Sequence, residues 1–232
     1  MDTTYTKNIP DNITHIKIDI GLSYNAPHSN IWLCNEPNLF VFGFEPNPKS
    51  VKSILGKQII PRQNGHGEVL DKKFIDSRFK LIPFALSNVS QPTTMKFHAT
   101  EIDVGTSSLY KPIDASLGGF EEVNVPVYSL KHFFDIFPFD RFEYIDYIKI
   151  DAQGSDLDIL MGAGDYLQKV VYITAEESCQ YESSQHNTAD NMTKYLESQN
   201  FIRVFNKETS DPTFLNKKYQ HLGDKIYIYQ SG

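Results

Sequence analysis

The 232-residue chain predicts an α/β fold with a mainly parallel sheet, organised as a single domain over residues 1–232. Strand-like apolar runs alternate with helical segments, which is the order typical of parallel sheets. The run Leu39–Phe44 is almost wholly apolar, as expected of a parallel strand that is buried on both faces. Acidic residues directly follow several of these runs, at the edge of the sheet where α/β proteins bind ligands.

The predicted elements follow in chain order. Residues 15–21 alternate between apolar and polar side chains and form the first strand, and Leu39–Phe44 forms the second. A helix begins at Asn47-Pro48, because Asn caps helices and Pro suits the first helical position, and Gly56 ends it. Apolar runs predict further strands at residues 79–86, 93–98 and 123–128.

The second half of the chain continues this pattern. A short aromatic helix is predicted at residues 129–137, and core strands at residues 144–150 and 170–175. Between these strands, Ser155 and Asp158 have the spacing of a capping box at a helix start. After a helix at residues 188–198, the predicted strands 201–205 and 225–229 end the chain as an antiparallel pair.

Composition narrows the class of protein. Hydrophobic residues make up 40% of the chain, which is enough for a packed core, and the net charge of −7 argues against nucleic-acid binding through a basic face. The two cysteines favour reduced thiols in a cytosol over a disulfide framework. Neither a secretion signal nor an apolar run of the roughly 18 residues that span a membrane is evident. We therefore expect a cytoplasmic protein with no nucleic-acid partner and no membrane span, in an oligomeric state that the sequence leaves open.

The first two strands end in candidate ligand-binding residues. Asp19 can accept hydrogen bonds from a ligand ammonium or from loop amides, and Gly21 permits a tight turn close to a ligand. Glu45 ends the second strand about 20 residues past this turn, where an acid can hold ribose hydroxyls, although it could also cap the following helix. Glycines expected of a dinucleotide-binding loop are replaced by Ser23 and Ala26, which argues against a nicotinamide dehydrogenase.

The later core strands supply the candidates for chemistry. Asp151 could orient a cofactor amine, bind a metal or act as a base, whereas Asp156 and Asp158 are attributed to the charge preference of a helix start. Adjacent side chains on an extended segment point in opposite directions, so one of Glu176 and Glu177 should face the pocket. Loop histidines are candidate general bases; they are His186 and, less favoured, His28.

Five motifs, taken together and in order, resemble those of the FkbM-type methyltransferases. They are Ile18-Asp19-Ile20-Gly21, Phe44-Glu45-Pro46-Asn47-Pro48, Ala85-Leu86-Ser87-Asn88, Lys149-Ile150-Asp151-Ala152-Gln153-Gly154-Ser155-Asp156 and Leu160-Met161-Gly162-Ala163, and the closing Asp224-Lys225-Ile226-Tyr227-Ile228 also fits. The resemblance runs from about residue 15 to residue 178. It implies a Rossmann-like class I methyltransferase sheet and dependence on S-adenosylmethionine.

The resemblance also implies roles for individual residues. Asp19 and Gly21 would lie at the methionine end of the cofactor, Glu45 on the ribose, and Asp151 near the methyl group. Leu86 and Ser87 would lie near the adenine. The chain departs from the family pattern in the first loop, which lacks a later glycine, and at Gln153 and Asp156, where the family often has Glu.

The resemblance implies an O-methyltransferase with a small-molecule or glycan substrate, which it methylates on a hydroxyl, most readily that of a sugar or glycan. The general base remains open among Asp151, His186 and Glu177. A divalent metal held by Asp151 with Glu176 or Glu177 also remains open. The alternative function is a catalytically silent module that keeps the fold and the cofactor.

Overall fold

The computed structural model describes residues 1–61, 67–204, 211–226 and 228. Its strands are β1 (His15–Ile20), β2 (Leu39–Phe44), β3 (Phe79–Ile82), β4 (Ala85–Leu86), β5 (Thr93–Thr100), β6 (Phe120–Tyr128), β7 (Ile145–Ile150), β8 (Val170–Ala175), β9 (Phe201–Val204) and β10 (Thr213–Asn216). Its α-helices are α1 (Pro27–Asn35), α2 (Pro48–Ile54), α3 (Leu130–Phe134), α4 (Asp156–Met161) and α5 (Ala189–Ser198).

Seven of these strands form the central sheet, in the order β3-β2-β1-β7-β8-β10-β9. The strands from β3 to β8 pair in parallel, and β10 is antiparallel to both of its neighbours. The chain therefore reverses its direction of strand addition between β1 and β7. In open α/β sheets, ligands bind beyond the carboxyl ends of the strands at such a switch point. The predicted fold class, with its C-terminal antiparallel pair, is confirmed.

Both faces of the central sheet are buried. Along β1 and β2 the side chains alternate between two hydrophobic clusters, with Ile18 and Phe42 in one and Val41 in the other. A smaller sheet, β4-β6-β5, has an apolar cluster of its own around Phe97 and Val125. No helix in the described ranges is long and apolar enough to cross a membrane.

Two predicted strand assignments are wrong. Residues 79–86 do not form one strand but divide at Pro83 into β3 of the central sheet and β4 of the small sheet. Proline has no N–H to donate to a sheet ladder, which explains the break. The partner of β9 is β10, whereas Lys225, in the strand predicted at residues 225–229, belongs to the 3₁₀-helix Lys217–Lys225. Tyr227 and Tyr229 of that prediction lie outside the described residues.

Two predictions at helix starts are also corrected. Ser155 makes no capping hydrogen bond with its side chain, and the expected capping box is not formed. The first turn of α4 is capped from a distance, because the Leu157 amide donates to Asn187 Oδ1 at 2.9 Å. Asp156 is fully buried and accepts a hydrogen bond from the Glu176 amide at 3.0 Å, so its role exceeds the charge preference of a helix start.

Candidate functional site

The loops after β1 and β7 touch through their backbones. Gly21 N–H donates to the Phe44 carbonyl at 3.0 Å, and Asp151 N–H donates to the Ile20 carbonyl at 2.9 Å, so the sheet ladder continues past the strand ends. Gly21 has a φ of +83°, and a Cβ on it would overlap the carbonyl oxygen of Asp151. Only glycine fits this crossing without displacing the backbone.

A cavity opens beside this crossing, with about 480 Å³ of space between its wall atoms when the open mouth is included. Its wall includes the apolar side chains of Phe84, Leu86 and Phe97 and the acidic side chains of Glu45 and Asp151. Small-molecule sites are mostly apolar with a few placed polar groups, and the lining of this cavity has that character. The cavity can therefore take a ligand that has a flat apolar part and a hydrogen-bonding part.

Glu45 is the buried acid at the end of β2. Its Oε1 accepts a hydrogen bond from the Asn47 amide at 2.8 Å, and Leu22 and Ser23 also donate backbone hydrogen bonds to the carboxyl group. Burial raises the pKa of Glu45 to about 8, against the opposing effect of these amides. A partner that donates to the ionised carboxylate would lower this pKa again.

Asp19 lies behind the first loop and is almost fully buried. Its Oδ2 accepts hydrogen bonds from Ser29 in the first turn of α1, at 3.2 Å from the amide and 2.6 Å from the hydroxyl. Its Oδ1 is buried with no hydrogen-bond partner among the described residues. Asp19 thus holds the start of α1 in place and retains one oxygen that can accept a further hydrogen bond.

Asp151 is the centre of a charged cluster at the end of β7. Its Oδ2 is 3.0 Å from Lys149 Nζ, and its Oδ1 accepts a hydrogen bond from Gln153 Nε2 at 2.7 Å. Burial would raise the pKa of Asp151, but Lys149 outweighs it and holds the pKa well below the usual value. Asp151 is therefore an anion, one-third exposed toward the cavity.

Two further acids lie close behind Asp151. Gln153 Nε2 also donates to Glu176 Oε2 at 2.7 Å, so the amide joins the two carboxyl groups. Burial and the neighbouring Asp151 charge raise the pKa of Glu176 well above its usual value, which makes Glu176 the protonated member. The same two causes raise the pKa of Asp156 to about 7.

Comparison with known proteins identifies the family to which this chain belongs. The sequence matches the methyltransferase FkbM domain over residues 13–203. This chain belongs to the FkbM methyltransferase family. Among solved structures, a chain described as an antibiotic-related methyltransferase shares 12% identity, covers 92% of each chain and has a TM-score of 0.36. No curated protein matches the chain.

Family membership confirms the resemblance stated from the motifs and supports a methyltransferase. The motif residues Gly21, Glu45, Leu86 and Asp151 line the same cavity, and Asp19 lies directly behind it. Ser87 does not line this cavity; its amide donates to the Tyr128 carbonyl at 2.9 Å, and its own carbonyl lies close to Gly162.

The two remaining candidate catalytic residues, Glu177 and His186, lie outside this cavity. Glu177 is exposed while its neighbour Glu176 points inward, which is the alternation expected of an extended segment. His186 is also exposed and lies 3.2 Å from Asp158, which accepts a hydrogen bond from Tyr110 as well. In the described part of the chain, no group of three or more His, Cys, Asp or Glu is placed to hold a metal ion.

Three contacts that the sequence did not suggest close the site from the small-sheet side. Ser108 Oγ donates to the Gln153 carbonyl at 2.6 Å. The Tyr181 hydroxyl donates to the Thr106 carbonyl at 2.6 Å and lies 3.0 Å from Gln153 Oε1. These residues belong to loops without a motif, and their partners are distant in sequence.

The loop between β1 and α1 contains two residues that are not glycine but have the left-handed backbone that glycine favours. Ser23 has a φ of +53° and Ala26 a φ of +48°. Such conformations cost a non-glycine residue roughly 1–2 kcal/mol. Ser23 and Ala26 therefore adopt the backbone that glycine favours, at a cost in conformational strain.

This strain predicts that Ser23→Gly stabilises the protein by about 1 kcal/mol. The change removes the unfavourable φ and a buried hydroxyl that has no partner among the described residues, although glycine loses more entropy on folding. Urea unfolding of the two proteins measures the difference in free energy. Ser90→Gly, at an exposed loop position, is the control and should not stabilise the protein. A loss of stability in Ser23→Gly would contradict the strain argument.

Proposed function

We propose that the protein is an S-adenosylmethionine-dependent O-methyltransferase that acts on a hydroxyl of a sugar or glycan. The observation that carries the proposal is the charge of the site. Glu45 and Asp151 line the cavity, Asp19 and Glu176 lie behind its wall, and Lys149 pairs with Asp151. Glu45 and Glu176 are largely protonated near pH 7 because their pKa values are raised, so the negative charges that act on Lys149 are those of Asp151 and Asp19. A site with this balance favours a cationic ligand, and S-adenosylmethionine carries a sulfonium and an ammonium group.

The residues present fit this cofactor. Phe84 and Leu86 offer an apolar wall for an adenine ring, and Glu45 lies beside it to accept hydrogen bonds from ribose hydroxyls. The Asp19 carboxyl group lies behind Gly21 and favours the positive charge of an ammonium group in front of it, and its Oδ1 has no hydrogen-bond partner among the described residues. Ser87 contributes to the adenine end only through the backbone that places Leu86.

Bound S-adenosylmethionine supplies an electrophilic methyl group. The chain then has to orient the acceptor oxygen in line with that group and exclude water from it. Asp151 lines the cavity, and its negative charge, held by Lys149 and Gln153, stabilises a positive charge beside it. Gln153 fixes the position of Asp151 because the same amide is bonded to Glu176.

We predict that Glu45→Gln weakens S-adenosylmethionine binding by about 10- to 100-fold, because hydrogen bonds to a charged acceptor contribute about 1.5–3 kcal/mol. Wild-type affinity should also rise as the pH increases toward 8, since the raised pKa means that the carboxylate forms only as the pH approaches that value. The variant should lose this pH dependence. Calorimetric titration between pH 6 and pH 9 measures both effects.

The exposed Glu121→Gln is the matched control, because Glu121 lies away from the cavity and pairs with Lys49 at the surface. Its affinity and pH profile should equal those of the wild type. Equal binding by Glu45→Gln and the wild type would contradict the ribose role of Glu45.

The proposal as a whole is tested by calorimetry with S-adenosylmethionine and, separately, NADH. We expect saturable binding of the first alone, followed by methyl transfer to members of a panel of hexoses, methyl glycosides and glycosylated small molecules. Cofactor binding without transfer to any acceptor would support the silent module. Absence of cofactor binding would overturn the proposal.

The same assay decides whether a divalent metal is needed. Asp151 and Glu176 lie together, but Glu177 does not join them, and Lys149 already provides a positive charge at Asp151. Turnover that survives treatment with a chelator would exclude the requirement, and turnover restored by Mg²⁺ would establish it.

A further inference from the structure

A second cavity adjoins the first at Gly21, Ser23, Gly105 and Asp151. It has a volume of about 1040 Å³, including its open mouth, and its wall includes His28, Asp103 and Gln153. We propose, on the basis of the proposed function, that this cavity receives a polyhydroxylated acceptor and that His28 takes the proton from the reacting hydroxyl.

The chemistry of the wall suits a polyhydroxylated molecule. Asp103, Lys149 and Gln153 offer acceptors and donors for hydroxyl groups, whereas Leu22, Pro27 and Ile31 form apolar surface. A sugar ring presents both kinds of surface, with hydroxyls at its edge and C–H groups on its faces. Because Asp151 belongs to both cavities, an acceptor hydroxyl in the second would approach the reactive end of a cofactor in the first.

Asp151 is poorly suited to act as the base. One of its oxygens is paired with Lys149 at 3.0 Å, and the other accepts the hydrogen bond from Gln153 at 2.7 Å. Adding a proton would break a largely buried ion pair, which is costly. Glu177 and His186, the other candidates from sequence, are exposed and do not border this cavity.

His28 has the position and the charge state that the role needs. It lies in the first turn of α1, half-buried beside Trp32, with 6.3 Å between the ring centroids. Burial and the positive charge of Lys149 lower its pKa, against the opposing effects of Asp19, Asp151 and Asp211. The imidazole is therefore neutral near pH 7 and can accept a proton.

The proposed step balances. The acceptor O–H bond breaks as the O–CH₃ bond forms, and the proton moves to a ring nitrogen of His28. The methyl–sulfur bond breaks and its electron pair stays on sulfur, which becomes a neutral thioether. The imidazolium then loses its proton to solvent through the open mouth of the cavity.

The test combines kinetics with a titration that needs no turnover. His28→Gln should lower kcat by about 10²- to 10⁴-fold while the S-adenosylmethionine affinity stays within threefold. Wild-type kcat should rise with pH along a limb below about pH 6.5, and this limb should be absent from the variant. Added imidazole should restore part of the activity of His28→Ala. The exposed His221→Gln is the matched control and should behave as the wild type.

Heteronuclear NMR of the imidazole carbons, assigned by comparison with His28→Gln, should show that His28 titrates below its ordinary pKa and that its signal shifts when S-adenosylmethionine is added. Turnover of His28→Gln near the wild-type rate with the acid limb intact would overturn the role of His28 and leave the proposed function standing. A His28 signal that titrates at or above about pH 6.5 and does not shift when the cofactor is added would also overturn the role of His28. This outcome can be reached even if no acceptor that supports turnover has been found. Failure of the wild type to bind S-adenosylmethionine would instead overturn the proposed function.

Discussion

Gly21→Ala is expected to destabilise the protein by about 2–5 kcal/mol and to abolish cofactor binding. A Cβ at this position would overlap the backbone carbonyl of Asp151, which cannot swing aside as a flexible side chain could. The left-handed φ of +83° adds roughly 1–2 kcal/mol of strain for alanine. Relief of the overlap would separate the loops after β1 and β7 and so open the cavity between them. Urea unfolding and calorimetric titration with S-adenosylmethionine measure the two losses.

Gly164→Ala is the matched control. Gly164 also has a left-handed φ, of +55°, but a Cβ there would meet no atom within 4 Å. This variant should lose only the roughly 1–2 kcal/mol of conformational strain and should bind the cofactor normally. If the two variants lost equal stability, the close approach of Gly21 to Asp151 would not be the cause.

Lys149→Met should destabilise the protein by about 2–4 kcal/mol at pH 7. It leaves Asp151 and the nearby Asp19 without the buried cation that offsets their charge. Removing one partner of a buried ion pair costs about 3–5 kcal/mol, and the lower figure here reflects the partial exposure of Asp151 to the cavity. The loss should shrink as the pH falls, since an unpaired Asp151 has a higher pKa and becomes protonated.

The double variant Lys149→Met/Asp151→Asn tests the cause of this loss. Replacing the carboxylate by an amide removes the uncompensated charge, so the double variant should regain most of the stability lost in Lys149→Met. Urea unfolding of the wild type, both single variants and the double variant gives the coupling between the two residues. If the losses of the two single variants simply added, Lys149 would not stabilise the protein through its ion pair with Asp151.

The placement of the cavity residues could be predicted because parallel strands end at one edge. Asp19, Glu45 and Asp151 each follow a recognisable apolar run, and the order of the runs places their ends side by side. The inward direction of one glutamate after β8 also followed from the alternation of an extended segment. Only the structure shows the register of the strand, and the register decides that Glu176 rather than Glu177 points inward.

The elements that were mispredicted depend on contacts between distant residues. Residues 79–86 are continuous in apolar character, but the strands available on either side of Pro83 belong to different sheets. The helix α4 is capped by Asn187, which lies 30 residues away in the chain, and not by the neighbouring Ser155. Local patterns contain no information about such partners.

The sequence by itself determined the alternation of strands and helices, the family and the acids at the strand ends, because these follow from local periodicity and from short motifs. Only the tertiary structure decided the state of those acids. Lys149 keeps Asp151 ionised, Gln153 links it to a protonated Glu176, and burial raises the pKa of Glu45. Charge states depend on burial and on neighbours brought together by folding, and these are properties of the packed site and not of any one segment.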